Sequence, residues 1–564
     1  MIKLADRLLK AVSPSRLDPL GLGRATWEFW RDALKQPDRL LARNLELAAD
    51  QLALARYGAR RALGLAAEPP VETPKGDRRF SAAGWDEQLF FDLLKQSYLL
   101  TAQHVLDQLG GGKAGNRSRH KLEFFTRQAL DAISPSNFPL TNPEVLDATL
   151  KSNGANLIQG MRNLLEDLAA GKGKLKVRMV DESQFEVGRN LATTPGKVVF
   201  ENELMQLIQY APATDKVFQR PLLIVPPWIN KFYILDLSPK NSFIRWMVAK
   251  GYTVFVVSWV NPAKELSGKT FEDYLNEGVM AALDAVGEAT GEPDLNAIGY
   301  CIGGTLLASA LAIMAVNGDE RVRSATFFTT QVDFSEAGDL LVFIDDYQLD
   351  RLEKRMEKKG YLDSADMATT FNMLRANDLI WSFVVNNYLL GQAPKAFDLL
   401  YWNGDSTRLP IAMHTYYLRQ MYLHNRLVEP GALIMNGVPI DLRRIRIPVY
   451  LQSSKEDHIA PYRSVYKATH HYSGPVTFML AGSGHIAGVI NPPAANKYYY
   501  YTNDETPEVV DDWIAGAEHH PGSWWPHWHS WLYRRSGRKV PARVPGKGGL
   551  PAIEDAPGRY VRMK

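Results

Sequence analysis

The chain has 564 residues, 46% apolar and 23% charged, with 65 Lys and Arg against 62 Asp and Glu for a net charge of +3. That length corresponds to about two to four domains or one large elaborated one, and so close a charge balance argues against a protein that coats nucleic acid. Cys301 is the only cysteine, which excludes an intrachain disulfide framework and a multi-cysteine zinc site.

The first twenty residues mix charges into an apolar pattern and lack the continuous core of a signal peptide. The longest apolar stretch near the middle, residues 302–316, is shorter than the ~18 residues of a membrane span. The expectation is a soluble cytoplasmic protein with no transmembrane segment. Leu41, Leu45, Ala48, Leu52 and Ala55 recur at helical spacing within residues 38–63, and a loop with three prolines follows. Helical patterns resume over LFFDLLKQSYLLTAQHVLDQL, break at the glycine-rich run 110–116, and continue over 121–133 and 143–168. This predicts a mainly helical domain over 1–180.

Around residues 171–174 the pattern turns strand-like. Short β-rich runs fall at 198–200, 204–210 and 222–225, and YTVFVVSW within 251–259 is the nearly continuous apolar run of a strand covered on both faces. A helix over 271–290, a strand at 296–300 and an apolar helix over 305–316 follow, and strands return at 447–452 and 476–480. Such alternation argues for an α/β domain over 181–564. Residues 334–425 interrupt it with helical, aromatic-rich sequence, as a cap insertion would. The tail places Trp524, Trp525, Trp528 and Trp531 within eight residues. It is either a surface for a partner or an apolar phase, or, as is more common, a cluster packed on the body.

The strongest local signal is Gly299-Tyr300-Cys301-Ile302-Gly303-Gly304 between a strand and an apolar helix, the setting of a nucleophile elbow. Glycines two residues either side of Cys301 permit the tight turn, and the Ile302 N–H and the helix start favour a developing oxyanion and a thiolate. Such an elbow needs an acid and then a histidine at later strand ends. Asp457 in KEDHIAP and His485 in GSGHIAGV occupy those places, with Glu456 the rival acid. His458, His470, His471, His519, His520, His527 and His529 are the rival histidines. Of these, His458 can add a hydrogen bond beside Asp457, but it precedes the final strand. The loop IVPPWINKFYILDL supplies the second oxyanion donor, from Trp228 or Ile229, because the two prolines before them have no N–H.

With these residues in place, the sequence resembles the polyhydroxyalkanoate synthases, in particular the class I form acting on short-chain monomers. The resemblance runs from about residue 77 to 541 and includes DRRFSAAGW, LLKQSYLL, NFPLTNPE, GRNLATTPGKVV, PPWINKFYILDL, GYCIGGT, YWNGDSTRLP, KEDHIAP, GSGHIAGVINPP and GSWWPHWHSWL. It implies an α/β-hydrolase fold with a helical cap and a separate N-terminal helical domain. It also implies polymerisation of (R)-3-hydroxyacyl-CoA into polyester with release of CoA, through an acyl group on Cys301. The family's catalytic Cys, Asp and His match Cys301, Asp457 and His485. Trp402 and Asp405 of its YWNGDS motif, with His458, are candidates for the substrate channel. No cofactor or metal is implied. A homodimer, the granule surface and phasin-type granule proteins are the implied partners. The competing readings are a cysteine-dependent esterase or thioesterase that uses water as acceptor, and a granule-coating protein with an inert Cys301.

Overall fold

A computed structural model describes residues 20–74, 76–110, 117–173 and 175–564. The run 1–19 and most of the glycine-rich break, 111–116, lie outside the described residues. The chain forms two compact units. The first takes the described residues up to Asp181 together with Thr369–Ala396, and the second takes Glu182–Ala368 with Phe397–Lys564.

The first unit is helical: α1 (Leu22–Ala33), α2 (Pro37–Ala62), α3 (Leu89–Gly110), α4 (Arg117–Ala132), α5 (Pro143–Lys151) and α6 (Ala155–Ala170). Its elements start where the local chemistry directs. Pro37 stands in the first turn of α2, where a missing N–H does no harm. Asn142 caps α5 by accepting from the N–H groups of Glu144 and Val145. Phe80, Trp85, Phe91 and Leu99 make a small apolar core. Beside it the half-buried Arg79 guanidinium is held by Asp77 (2.8 Å) and Asp131 (3.0 Å).

The sequence predicts 334–425 as one cap on the sheet domain; the structure divides it, with Thr369–Ala396 grouped with the helices. The reason lies on α6. Gly160 brings its backbone so close to the Tyr388 carbonyl that a Cβ would collide with it. Asn156 and Asn163 donate to the carbonyls of Leu389 and Asn387, each at 2.8 Å, and the Tyr388 hydroxyl donates to Asp167 at 2.6 Å.

The second unit is built on one eleven-stranded sheet. Its strands are β1 (Gly196–Glu201), β2 (Met205–Tyr210), β3 (Leu222–Val225), β4 (Val254–Trp259), β5 (Leu295–Tyr300), β6 (Val322–Phe328), β7 (Val449–Ser454), β8 (Val476–Ala481), β9 (Tyr499–Thr502), β10 (Glu518–Pro521) and β11 (Glu554–Asp555). Their spatial order is β10-β9-β8-β7-β6-β5-β3-β4-β2-β1-β11. The run from β4 to β8 is parallel, and the outer strands are antiparallel. From β1 to β8 this is the order 1-2-4-3-5-6-7-8, so the α/β-hydrolase expectation is met.

Alternation in the buried strands splits the core in two. Leu223, Val225, Phe255 and Val257 face one apolar cluster, and Leu222, Ile224, Val254 and Val256 face the other. This is why both strands read as unbroken apolar runs. The first cluster takes in α7 (Ile302–Asn317), whose residues from Ile302 to Met314 are all buried. It also holds α8 (Ile411–Tyr417), part of the cap sequence that stays with the sheet. The second cluster takes in α9 (Trp525–Tyr533) and Trp524 just before it, and Trp524, Trp525 and Trp528 are wholly buried. The tryptophan tail is therefore packed on the body.

Among the described residues no helix is long and apolar enough to cross a membrane. Replacing Trp528, whose indole N–H donates to Thr326 at 3.0 Å, with Ala opens a core cavity. The expected loss is about 3–5 kcal/mol, read as a lower urea midpoint for the sheet-bearing unit.

Candidate active site

β5 ends at Tyr300 and α7 begins at Ile302, so Cys301 alone turns the chain. It does so with φ 52° and ψ −127°, a conformation that a residue with a side chain keeps only when its neighbours hold it there. The Cys301 N–H donates to Phe328 of β6 at 2.9 Å, and its carbonyl accepts from the N–H groups of Gly304 and Thr305 at 2.9 and 3.2 Å. The Thr330 hydroxyl donates to the same carbonyl at 3.2 Å. A Cβ on Gly303 would run into the carbonyls of Val225 and Pro226. The loop after β3 therefore lies directly against the first turn of α7, where the N–H groups of Ile302 and Gly303 have no acceptor in a preceding turn. The half-buried thiol of Cys301 stands at that helix start.

Asp457 and His485 arrive from the ends of β7 and β8. His485 Nδ1 lies 2.7 Å from Asp457 Oδ2, and both residues are buried. The other Asp457 oxygen accepts from the N–H groups of Ile459 and Ala460, each at 2.8 Å. Both carboxylate oxygens thus have hydrogen-bond partners. Burial alone would lower the basicity of His485. The charge of Asp457, then that of Cys301, and hydrogen bonds to both outweigh it and push the imidazole up to about 10. With Nδ1 on the carboxylate, Nε2 is the nitrogen left for the sulfur. Two tail tryptophans hold the loop that carries His485: Trp524 Nε1 donates to Gly488 at 2.7 Å and Trp525 Nε1 to Val489 at 2.9 Å.

The rivals are placed elsewhere. Glu456 is exposed, so Asp457 is the carboxylate on the histidine. His471 lies 3.4 Å from Asp333, His470 packs on Tyr466, and His519 and His520 lie on β10. His527 bonds the Tyr450 hydroxyl at 2.9 Å, and His529 rests against Trp246. His458 sits half-buried in the turn that follows Asp457.

Trp402 and Asp405, expected along a substrate channel, bond to the loop after β3. Trp402 is buried with its indole N–H on the Lys231 carbonyl at 2.7 Å. Asp405 accepts from Lys231 Nζ at 2.8 Å and from the Tyr233 hydroxyl at 2.9 Å. A buried ammonium requires such a partner, and that need determines where Asp405 points. In the same loop Trp228 is buried, and the carbonyls of Trp228 and Ile229 accept from Thr407.

Sequence reasoning missed Lys231, Thr330 and the tyrosines Tyr417 and Tyr422. The tyrosines are hydrogen-bonded to each other and buried; burial makes both hydroxyls harder to ionise, and the nearby Cys301 sulfur adds to that. Phe334 closes on them with ring centroids 5.9 and 4.8 Å away. The signals available were a lone lysine in an apolar loop and the aromatic density of MHTYYLRQMYL.

Comparison with known proteins places this geometry in a family. A family model described as the poly-beta-hydroxybutyrate polymerase (PhaC) N-terminus matches residues 76–247, and one for the alpha/beta hydrolase fold matches residues 221–492. A poly(3-hydroxyalkanoate) polymerase of Methylorubrum extorquens is 52% identical over 539 residues, covering 95% of this chain and 88% of that protein. The poly(3-hydroxyalkanoate) polymerase subunit PhaC of Rhizobium meliloti is 49% identical over 538 residues, 95% of this chain and 87% of that protein. That of Cupriavidus necator is 45% identical over 498 residues, 87% of this chain and 84% of that protein. With likeness at this level along nearly its full length, the chain belongs to the poly(3-hydroxyalkanoate) polymerases, acyltransferases of the α/β-hydrolase fold.

Proposed function

We propose that this enzyme polymerises short-chain (R)-3-hydroxyacyl-CoA, such as 3-hydroxybutyryl-CoA, through an acyl group carried on Cys301. The observation that carries the reading is the thiol at a strained strand-to-helix turn with His485 and Asp457 converging on it. His485 Nε2 holds the proton given up by the thiol, and the sulfur attacks the thioester carbonyl as the thiolate. The N–H groups of Ile302 and Trp228 meet the oxyanion. The intermediate collapses, CoA leaves as its thiol with the proton from His485, and the acyl group stays on sulfur. This exchanges one thioester for another, so the acyl group keeps the driving force that an oxygen ester on serine would lose.

The 3-hydroxyl of a second acyl group then gives its proton to His485 and attacks the Cys301 thioester, forming the polyester bond and regenerating the thiol. Asp457 holds the imidazole by Nδ1 and stabilises the imidazolium. Water in place of the hydroxyl would make a hydrolase. The bulk of Tyr417 and Tyr422 near the sulfur, with Phe334 packed on both rings, supports both the exclusion of water and a short acyl chain.

Granule association belongs to the same proposal and falls to the helical unit. Leu41, Leu45 and Leu52 on α2, and Ile158, Met161 and Leu165 on α6, are exposed at helical spacing, as contact with a polyester surface requires. The expected resting state is a cytoplasmic homodimer, with phasin-type proteins as companions on the granule.

Incubation with (R)-3-hydroxybutyryl-CoA should release free thiol and yield solvent-extractable polyester, and Cys301→Ala should lose both. Thiol release with monomeric hydroxy acid as the only product would make the enzyme a thioesterase. Asp457→Asn removes the largest of the charges that raise His485, so the imidazole should titrate below about 10. The shift is read from the histidine carbon resonances across pH, and kcat should fall by up to about 10⁴-fold. A paired Leu41→Glu, Leu45→Glu variant should release CoA at the normal rate yet sediment less with polymer.

A further inference from the structure

We propose that residues 554–563 form a strap whose end positions the loop after β3, with Lys231 as the joint. The inference rests on the reading of the Trp228 amide as an oxyanion donor. The strap is anchored at the far edge of the sheet. β11 pairs with β1, the Tyr560 N–H donates to Gln206 of β2 at 3.1 Å, and the Tyr560 hydroxyl donates to Asn202 at 2.7 Å. Val561 is buried, and the Met563 carbonyl then accepts from Lys231 Nζ at 2.9 Å.

Lys231 is only 5% exposed. Asp405 and the Met563 carbonyl are its acceptors, and a buried ammonium that loses one of two acceptors does not stay in place. The remaining supports of the loop converge on the same few residues. The Trp259 indole N–H donates to Pro226 at 2.8 Å, Thr407 bonds the carbonyls of Trp228 and Ile229, and Trp402 bonds that of Lys231. Gly303 lets the loop touch the turn after Cys301. Displacement at Lys231 therefore reaches the Trp228 amide three residues away, while the thiol, His485 and Asp457 rest on other strands. Lys231 and Met563 are positioning residues.

The test compares the full chain with a deletion of residues 562–564, which spares buried Val561 and the Tyr560 anchors, and with Lys231→Met, each measured by CoA release from (R)-3-hydroxybutyryl-CoA. The deletion should lower kcat by about 100-fold, the size of losing one oxyanion donor, with KM nearly unchanged. Alkylation of Cys301 by iodoacetamide forms no oxyanion, and its rate should stay as in the full chain. Lys231→Met should show the same split, and the deletion should add almost nothing in that background. Should the deletion fail to fold, Lys231→Met alone decides. An unchanged kcat, a full additional loss in the Lys231→Met background, or an equal fall in alkylation rate would each overturn the strap. A full chain that releases no CoA would instead overturn the functional reading, and the strap with it.

Discussion

The left-handed backbone at Cys301 is the constraint on which the rest of the site depends. A strained residue of this kind is disfavoured by about 1–3 kcal/mol, and left free it would relax and carry the sulfur away. It is held because both neighbours are immovable. β5 is a fully buried strand between β3 and β6, and α7 is buried on every side from Ile302 to Met314. A helix with no solvent face has nowhere to shift, so the sheet and the helix together determine where the thiol stands. Asp457, His485 and the loop after β3 are placed against that fixed point.

The supports of the reactive groups come from distant parts of the sequence. The histidine loop is held by indole N–H groups of the tail, each about 36 residues on in the chain. The cap sequence that stays with the sheet is clipped where it leaves and returns. Asn425 accepts from the Phe334 N–H at 2.7 Å and donates to Asp333 at 3.0 Å. Tyr417 and Tyr422 are thereby kept beside the sulfur from a segment whose two ends meet. In each case a polar side chain satisfies a backbone group that burial would otherwise leave unpaired.

The parallel strands, the elbow and the Cys301, Asp457 and His485 order were legible in the sequence because each is local: an apolar run, a spacing of glycines, a polar residue at a strand end. The commitments of Trp402 and Asp405 were not, because their partners lie about 170 residues away and composition carries no address. The division of 334–425 was hidden for the same reason. Its aromatic helical sequence says that it packs, and it is Asn156, Gly160, Asn163 and Asp167 on α6 that reveal what residues 384–389 pack against. Asn156 and Asn163 look like ordinary surface asparagines until their acceptors are in place.

That pairing sets a schedule for synthesis. The acceptors of Asn156 and Asn163 lie 233 and 224 residues further along the chain. At translation rates of about 5–20 residues per second, α6 leaves the ribosome roughly 10–50 s before the turn that completes it. The helical unit, although encoded first, is finished only after β1 to β6 have been made. Two amide side chains and the bare backbone at Gly160 stay wet through that interval. The nascent enzyme therefore passes through a stage in which the sheet is partly built and its first-made helices remain open.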